Sequence, residues 1–399
     1  RILLHPSMLP DRLSTQSGEI VMRVIVFGGA GEMGRVAVKT AAELGFVKEV
    51  VVADRNLPGA QEVAVQSPKA RSASVDLRDR DGLAGILAGM DVVINASGPF
   101  FELGVPILEA AVDAGAHYLD ICDDWEPTLD MLALDDRARA RGVTAVLGIG
   151  ASPGLTNLLA MKAAKALDTT NELLTGWCID DVSGEETAKM ALRTEPSAAT
   201  IHWMQQLSGR IRVQKDGESK LVKPLQRREI AFPGWGRISA WTVGHPEAVT
   251  LPRTVPGLRS CVNVMTGSNE KTFLGLKLLQ GLVDTRVLSL REAARELERS
   301  DTPADRARRK PLKNLPGLFG WAEGLKDGRP TASAAWLRGL PAGGMGGSTG
   351  VPLGLALHLF AGEAHPRAGV LTPEEAIDPD WFFDLLAPWC VGGFATGAD

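Results

Sequence analysis

The chain has 399 residues, of which 45% are hydrophobic and 23% charged, and its formal net charge is −5. This composition is too apolar for a disordered chain and lacks the basic excess of nucleic-acid-binding proteins. Its four cysteines are widely spaced, a pattern that predicts neither a disulfide framework nor a zinc site. We therefore expect a globular protein of two or three domains, cytoplasmic, without a bound metal.

Two segments bear on whether the chain carries a signal peptide or a membrane span. Residues 1–21 lack the apolar core of a signal peptide, and Met22 directly precedes the first strand-like run. We treat residues 1–21 as an N-terminal extension. The longest apolar run, residues 351–361, is too short to span a bilayer, so we expect no membrane partner.

Short apolar runs alternate with segments of helical periodicity in the first part of the chain. The runs predict strands covered on both faces, over residues 23–27, 49–53, 72–75, 91–95, 118–121 and 144–147. Apolar stripes with three- and four-residue steps predict helices over residues 33–44, 105–114 and 127–140. This alternation predicts an α/β domain with a doubly wound parallel sheet, residues 22–152.

A second domain, residues 153–344, is predicted to be α+β. A helical stretch over residues 155–167 precedes strand-like segments whose alternation favours a mainly antiparallel sheet, at residues 175–179, 210–214, 229–232, 237–243 and 260–265. Residues 340–350 are Gly-rich and predict a flexible connection. We expect residues 345–399 to form a C-terminal segment that packs on the first domain, with a helix over residues 352–360.

The strongest functional signal directly follows the first predicted strand. Gly29, Gly31 and Gly34 have the G-x-G-x-x-G spacing and precede a predicted helix. In this motif one glycine makes the turn, one admits a pyrophosphate and one allows the helix to pack closely. Phosphate would then bind at the helix N-terminus, so the pattern predicts a dinucleotide site.

The acidic residue expected on the ribose is Asp54, at the end of the second strand. Its carboxylate favours NAD, whereas Arg55 could pair with the 2′-phosphate of NADP, which is the alternative cofactor. Asp76, at the end of the third strand, fits either an adenine contact or a helix cap. The segment from Asn95 to Pro99 follows the fourth strand, where it forms either the nicotinamide side of the site or a simple Gly-Pro turn.

Polar residues also follow the fifth strand. Asp120, Cys122, Asp123 and Asp124 lie within five residues, and the carboxyl edge of a parallel sheet is where ligands bind. Asp123 or Asp124 could equally cap the next helix, and Cys122 could be a buried filler. Asp120 is the preferred candidate for chemistry.

In the second domain, His245 and Glu247 lie two residues apart after a strand, a spacing that permits acid–base catalysis or an ordinary loop pair. His202, on a predicted helix, is a weaker candidate. All nine Trp lie at or beyond Trp125. They could line a site for a bulky apolar substrate or fill the core and an interface.

Together these motifs resemble the saccharopine dehydrogenase family. The similarity is carried by GGAGEMG, VVADRN, INASGPF, AHYLDICDDW and GASPGLTN, and more loosely by GHPEAVTLPR and the segments STGVPLGLALHLFAGE and GVLTPEEAIDPDWFF. It spans almost all of residues 22–386. It implies a Rossmann domain, an α+β domain that shapes the substrate site and often the dimer interface, and a C-terminal helix that returns to the Rossmann domain.

The resemblance also implies site residues. The cofactor would contact Gly29, Ala30, Gly31, Met33, Gly34, Asp54, Arg55, Asp76, Asn95, Ala96, Ser97, Gly98 and Pro99. Candidate catalytic residues are Asp120, His245 and Glu247, and candidate substrate contacts are Tyr118, Cys122, Trp125, Pro153, Gly154, Arg193 and His202. A convincing set of arginines for a substrate with several carboxylates is not evident, since only Arg193 and Arg253 are candidates.

These observations lead to the hypothesis of an NAD(P)-dependent oxidoreductase, a homodimer acting on a small molecule. It would move a hydride at a carbon–nitrogen bond, with Asp120 or His245 exchanging the amine proton. One alternative is reduction of a carbonyl or enoyl group on a bulky apolar metabolite. Another is a reaction without net redox change that uses tightly bound NAD.

Overall fold

The computed structural model describes residues 15–16, 19–181, 195–267, 270–300, 316–362 and 365–390. They divide into two compact units. The first contains the described residues up to Cys122 together with residues 126–150 and 349–377, and the second contains residues 123–125, 151–348 and those from Asp378 onward. No helix within the described ranges is long and apolar enough to cross a bilayer.

The first unit is built on a seven-stranded sheet with parallel pairing throughout. After a short antiparallel pair, β1 (Thr15–Gln16) and β2 (Glu19–Ile20), its strands are β3 (Met22–Phe27), β4 (Val47–Asp54), β5 (Ala70–Ser74), β6 (Val92–Asn95), β7 (His117–Asp120), β8 (Thr144–Val146) and β17 (Gly369–Leu371). The order is β17-β8-β7-β6-β3-β4-β5. From β3 the chain adds β4 and β5 on one side, and it then crosses to add β6 on the other side of β3. Parallel sheets bind ligands at the carboxyl ends of the strands beside such a crossover.

Helices connect these strands. They are α1 (Glu32–Glu43), α2 (Leu57–Ala64), α3 (Arg80–Leu87), α4 (Phe100–Ala114), α5 (Trp125–Leu132) and α6 (Asp135–Ala140). The predicted doubly wound parallel sheet is confirmed, and each of the six predicted strands is present within two residues of its expected bounds. The helix predicted over residues 127–140 is wrong in one respect, because it is divided into α5 and α6.

The second unit contains an eight-stranded, mainly antiparallel sheet, as predicted. Its strands are β9 (Thr169–Cys178), β10 (Ile211–Lys215), β11 (Glu218–Val222), β12 (Arg227–Phe232), β13 (Gly236–Val243), β14 (Ser260–Thr266), β15 (Leu318–Lys326) and β16 (Arg329–Trp336). Only the pairing of β9 with β14 is parallel within the described part of this sheet. Its helices include α7 (Leu155–Lys165), α8 (Ala198–Gln206), α9 (Glu247–Thr254), α10 (Glu270–Asp284) and α11 (Leu290–Ser300).

The Gly-rich segment near residue 345 is helical, which corrects the predicted flexible connection. Helix α12 spans Gly344–Leu355, a 3₁₀ turn follows at Ala356–Phe360, and two short helices close the described chain, α13 (Pro373–Ala376) and α14 (Pro379–Leu386). A Cβ on Gly350 would lie 2.5 Å from the carbonyl oxygen of Met33, and one on Gly354 would lie 2.6 Å from the Cβ of Thr40. The glycines therefore serve close helix packing against α1, a use that outweighs their low helix propensity.

Candidate functional site

The glycine loop after β3 has the shape that a dinucleotide requires. A Cβ on Gly34 would lie 2.1 Å from the carbonyl oxygen of Gly28, and one on Gly29 would lie 2.7 Å from Cγ1 of Val52, so both glycines are needed for packing. A Cβ on Gly31 would contact only the same Gly28 oxygen, at 3.1 Å. Gly31 is also the N-cap of α1 and provides no side-chain cap, which leaves the first turn of the helix for an anion.

The corner beside this loop contains the carboxylate of Asp54 and the guanidinium group of Arg35. Asp54 accepts hydrogen bonds from the backbone N–H of Ala30, at 3.2 Å, and of Asn56, at 2.9 Å. Arg35 donates from Nη2 to the carbonyl oxygen of Ala30 at 2.8 Å. Arg55 follows Asp54 and is exposed. The loop and the end of β4 are therefore held together in the manner expected of a ribose-binding corner.

The segment after β6 is organised by Asn95, which is fully buried. Its Oδ1 accepts hydrogen bonds from the backbone and hydroxyl of Ser97, at 3.0 and 2.5 Å, and its Nδ2 donates to the Tyr118 hydroxyl at 3.0 Å. Ala96 lies directly behind the glycine loop, since a Cβ on Gly28 would be 2.7 Å from its carbonyl oxygen. Asp76 accepts a hydrogen bond from the backbone of Arg78, at 3.0 Å, as in a turn.

Asp120, Tyr118 and Cys122 lie in the core of the first unit and are fully buried. Asp120 accepts hydrogen bonds from the backbone N–H of Gly148, at 2.6 Å, and of Cys122, at 3.1 Å. Burial, followed by the nearby charge of Asp120, raises the pKa of the Tyr118 hydroxyl well above its usual value. These contacts favour a structural function for Asp120, and the burial of Tyr118 and Cys122 favours packing over substrate contact.

In the second unit, His245 and Glu247 form a buried pair. The His245 ring is 4% exposed and Glu247 is fully buried. Nδ1 of His245 lies 3.6 Å from one Glu247 oxygen and 3.2 Å from Oγ of Ser152. The other Glu247 oxygen accepts hydrogen bonds from the hydroxyls of Ser152, at 2.7 Å, and Thr156, at 2.8 Å. The predicted two-residue spacing thus brings together an imidazole and a carboxylate, with hydroxyls supplied by Ser152 in the turn before α7 and by Thr156 in its first turn.

His245 and Glu247 each stabilise the charged form of the other. Burial opposes ionisation of both groups, but their attraction as an ion pair, with Nδ1 and Oε2 3.6 Å apart, outweighs it. This attraction raises the pKa of His245 and lowers the pKa of Glu247. Imidazolium and carboxylate are therefore the favoured states.

Gln206, which the sequence did not single out, determines which nitrogen of His245 exchanges its proton. Its Nε2 donates to both the backbone oxygen and the carboxylate of Asp123, at 3.0 Å each. Because that backbone oxygen can only accept, the amide orientation is fixed and Oε1 is directed to His245. Oε1 lies 3.1 Å from Nε2 of His245. Nε2 therefore keeps its proton in both charge states, and Nδ1 is the exchanging atom.

His202 lies between two carboxylates. Its Nδ1 is 3.2 Å from Asp123 and its Nε2 is 2.5 Å from Asp124. Burial disfavours the charged ring, but the two carboxylates outweigh it and raise the pKa of His202 to about 11, while the same pairing outweighs burial and lowers the pKa of Asp123 to about 2. The three ligand-type atoms lie within 4.8 Å of one another, yet the imidazolium already supplies the positive charge that a metal ion would bring. Asp124 is thus a partner of His202 in addition to preceding α5.

The remaining predicted substrate contacts have varied positions. Pro153 and Gly154 are buried in the turn that starts α7, where the Gly154 N–H donates to Asn157 at 2.9 Å. Trp125 is half-buried and stacks under the guanidinium of Arg212, 4.8 Å from the ring centroid. Arg253 is exposed, and Arg193 lies outside the described residues.

Two partly buried tryptophans adjoin these polar groups. The ring centroid of Trp177 is 6.3 Å from that of His245 and 5.9 Å from that of Trp203. Trp203 is the residue after His202 and donates to the Met265 sulfur at 3.3 Å. Aromatic faces beside charged groups attract organic cations. Trp177 therefore lies beside His245, with Trp203 next to it, whereas the expectation that tryptophans contact the substrate stays a prediction.

Known proteins are similar to this chain both in the first unit and over most of its length. Residues 24–146 match a family model described as the saccharopine dehydrogenase NADP binding domain. A carboxyaminopropylagmatine dehydrogenase from Synechocystis is 23% identical over 92% of this chain and 97% of its own length. A carboxynorspermidine synthase from Vibrio cholerae is 24% identical over 92% of this chain and 94% of its own.

One solved structure has a similar fold over the same extent. The apo form of the L-Glu-forming saccharopine dehydrogenase from Saccharomyces cerevisiae superimposes with a TM-score of 0.64 at 15% identity, covering 95% of this chain and 100% of that one. At this level of identity the match concerns the fold. It agrees with the α/β class predicted from the sequence.

Proposed function

We propose that the chain is a nicotinamide-dependent oxidoreductase of the saccharopine dehydrogenase type, acting at a carbon–nitrogen bond, because residues 24–146 match the NADP binding domain of that family. It reduces an imine to an amine or catalyses the reverse oxidation. The observation that carries this proposal is the buried His245–Glu247 pair with a fixed exchanging nitrogen. When a hydride is transferred to an imine carbon, the imine nitrogen must also gain a proton. The His245–Glu247 pair can supply that proton.

The loop from Gly28 to Gly34 would hold the pyrophosphate, and Asp54 the adenosine ribose, which fits Gly31, whose added Cβ would contact only the Gly28 carbonyl oxygen. A bound nicotinamide supplies or accepts the hydride. His245 holds the proton on Nδ1 and exchanges it through the half-buried Ser152 hydroxyl, 3.2 Å away. Glu247 stabilises the imidazolium form and fixes the Ser152 hydroxyl.

The charge of these groups favours a cationic substrate. Asp123, Asp124 and Glu247 provide three carboxylates, and His202 and His245 provide two imidazolium groups, so the set carries one net negative charge. An iminium or ammonium group is attracted to such a set, and the Trp177 and Trp203 faces add a cation–π contribution. The two relatives that match over nearly their full lengths are named for carboxylated derivatives of agmatine and norspermidine. A carboxylate-bearing polyamine-type substrate is therefore the class that we propose.

For the catalytic residue, the test is His245→Gln. Loss of the proton source should lower kcat by roughly 100- to 10,000-fold and leave the dissociation constant of the cofactor unchanged. His358→Gln, which replaces a half-buried histidine of the first unit, is the matched control and should retain activity. Full turnover in the His245 variant would exclude it from proton transfer. Asp120 stays a prediction, which Asp120→Asn tests in the same assay.

We further propose that NADP is the preferred cofactor. Arg35 donates to the carbonyl oxygen of Ala30 beside Asp54, and Arg55 directly follows Asp54 and is exposed, while both Asp54 oxygens already accept backbone hydrogen bonds. A 2′-phosphate would be paired by the arginines. Arg35→Ala and Arg55→Ala should each weaken NADP binding by about 10- to 100-fold with little effect on NAD. The control is Arg141→Ala, after α6. Equal losses for both cofactors would contradict this preference.

A further inference from the structure

The Asp123 carboxylate is held across one turn of α8 by two side chains. His202 and Gln206 are four positions apart on this helix, so they project from the same side of it. One Asp123 oxygen lies 3.2 Å from Nδ1 of His202, and the other accepts a hydrogen bond from Nε2 of Gln206 at 3.0 Å. The carboxylate is therefore fixed through both of its oxygens.

These contacts place two ion pairs at the ends of one row of side chains. At one end His202 pairs with Asp123. At the other end His245 pairs with Glu247. The Gln206 amide lies between them, bonded to Asp123 on one side and to His245 on the other. Because an amide does not ionise, the two pairs act on each other through the electrostatic fields of their charges.

The charge of His202 opposes the effect of Asp123 on His245. Burial lowers the pKa of His245, and the Glu247 carboxylate outweighs burial and raises it. The Asp123 carboxylate raises this pKa further, whereas the His202 cation lowers it. Without His202, two uncompensated carboxylates would retain the proton on His245. A general acid that retains its proton too strongly donates it slowly.

His202 keeps its charge because it has a second carboxylate besides Asp123. The Asp124 carboxylate lies 2.5 Å from Nε2 of His202, on the other side of the ring from Asp123. Burial disfavours the cation, but the two carboxylates outweigh it and raise the pKa of His202 to about 11. The ring is therefore charged at neutral pH.

Helix α11 also packs against α8 and brings further charged groups to it. Glu298 accepts hydrogen bonds from the backbone N–H of Ser197, at 2.9 Å, and from the hydroxyl of Thr200, at 2.6 Å. Arg295 lies 3.2 Å from the carboxylate of Glu195. These two charged groups of α11 are thus engaged near the start of α8.

We propose that His202 is a positioning residue for proton exchange at His245. It acts through Asp123, whose carboxylate it holds in place and whose charge it balances, so that His245 can release its proton to the substrate. This inference rests on the proposed function of His245 as the proton source. It requires no contact between His202 and the substrate.

The nitrogen chemical shifts of the His245 ring, followed against pH in the full chain, test the proposal without a substrate. In His202→Gln, which removes the cation and keeps a polar side chain, the pKa of His245 should rise. In Asp123→Asn, which removes the anion and keeps an oxygen for Gln206, this pKa should fall. A purely structural effect of the two substitutions would not produce shifts of opposite sign.

The double variant His202→Gln/Asp123→Asn completes the cycle. It loses one positive and one negative charge, so the pKa of His245 should return toward the wild-type value. If His202→Gln alone does not fold, as judged by thermal unfolding, the double variant compared with Asp123→Asn measures the same effect of His202. The matched control is His358→Gln, the same substitution in the first unit, which should leave the pKa of His245 unchanged.

Reduction of an imine gives a second measurement. In His202→Gln, kcat should fall roughly 10-fold with little change in KM, a fraction of what a general acid contributes, and the pH at which kcat depends on His245 should move upward. A pKa of His245 that falls or stays constant when His202 is replaced would overturn the proposal. If the pKa shifts occur but the wild type reduces no imine, the proposed function fails, and only the electrostatic effect of His202 on His245 is supported.

Discussion

The side-chain amide of Gln206 joins Asp123 to His245 in a fixed orientation. It donates to the backbone and carboxylate oxygens of Asp123 and accepts from Nε2 of His245 at 3.1 Å. A histidine whose neutral tautomer is imposed by a neighbour keeps its basic nitrogen directed at one partner. Here that partner is the Ser152 hydroxyl.

Replacement of Gln206 by Leu should release this control. The Nε2 proton would lose its acceptor, and the neutral ring could carry its proton on Nδ1 instead. Nδ1 would then have no lone pair with which to accept a proton from Ser152. We expect kcat to fall by about 10- to 100-fold, the cost of leaving one buried donor unpaired, and its pH profile to shift. Nitrogen chemical shifts of the imidazole, recorded above the pKa of His245 where the ring is neutral, should report a protonated Nε2 in the wild type and a tautomer mixture in the variant.

Gln205→Leu is the matched control, since Gln205 is the neighbouring glutamine on the same helix and is half-buried. It should change neither the tautomer nor the pH profile. An unchanged His245 tautomer in Gln206→Leu would show that Gln206 does not position the ring.

His117 should make the stability of the protein sensitive to mild acid. Burial, with His365 beside it, lowers the pKa of His117 to about 3, and its Nδ1 accepts the backbone N–H of Thr144 at 3.1 Å. The unfolded chain takes up this proton near pH 6.5, whereas the folded protein does not until about pH 3. Stability from this group is therefore complete above pH 6.5 and falls as the pH decreases toward 3.

His117→Gln removes the titration while keeping an acceptor for Thr144. The free energy of unfolding, measured with denaturant between pH 7 and pH 5, should fall less steeply in the variant, by up to about 1.4 kcal/mol per pH unit. Parallel curves for wild type and variant would mean that His117 is protonated equally in both states.

A substitution in the glycine loop should weaken dinucleotide binding without destabilising the fold. Gly31 has φ −70 as the N-cap of α1, so Gly31→Ala should change the free energy of unfolding by less than about 1 kcal/mol. Its new methyl group would stand where a phosphate approaches, and dinucleotide affinity should fall at least roughly tenfold. Titration by cofactor fluorescence measures this loss.

Gly34→Ala is the contrasting variant. Its Cβ would lie 2.1 Å from the Gly28 oxygen, so it should destabilise the fold by about 1 to 3 kcal/mol. Gly85→Ala lies in α3, where an added Cβ meets no atom within 4 Å. This variant should neither destabilise the fold nor weaken dinucleotide binding. Unimpaired binding in Gly31→Ala would place the phosphate elsewhere.

Local patterns were sufficient to predict the first unit. Its strands are buried on both faces, so their apolar runs are continuous, and the glycine spacing is set by backbone contacts within one turn, such as Gly34 against Gly28. The same reasoning failed at Gly350, which lies in the segment expected to be flexible, because its helix depends on packing against α1, which is far away in the sequence.

The His245 pair was only half predicted. His245 and Glu247 are near neighbours in sequence, but Ser152 reaches them from the turn before α7 and Gln206 from the end of α8. No local pattern marks a glutamine that contacts Asp123, 83 residues away. Asp123, Asp124 and His202 were recognised separately. Their association depends on long-range packing, which a single sequence does not encode in any short motif.

The most direct test of hydride transfer at a carbon–nitrogen bond is the absorbance of NADPH during reaction with a carboxylate-bearing aldehyde and a polyamine, which condense to an imine. We predict that NADPH is consumed only when aldehyde and amine are both present, and that His245→Gln abolishes this consumption. Consumption with the aldehyde alone, at a rate that added amine does not change, would contradict the account and indicate carbonyl reduction.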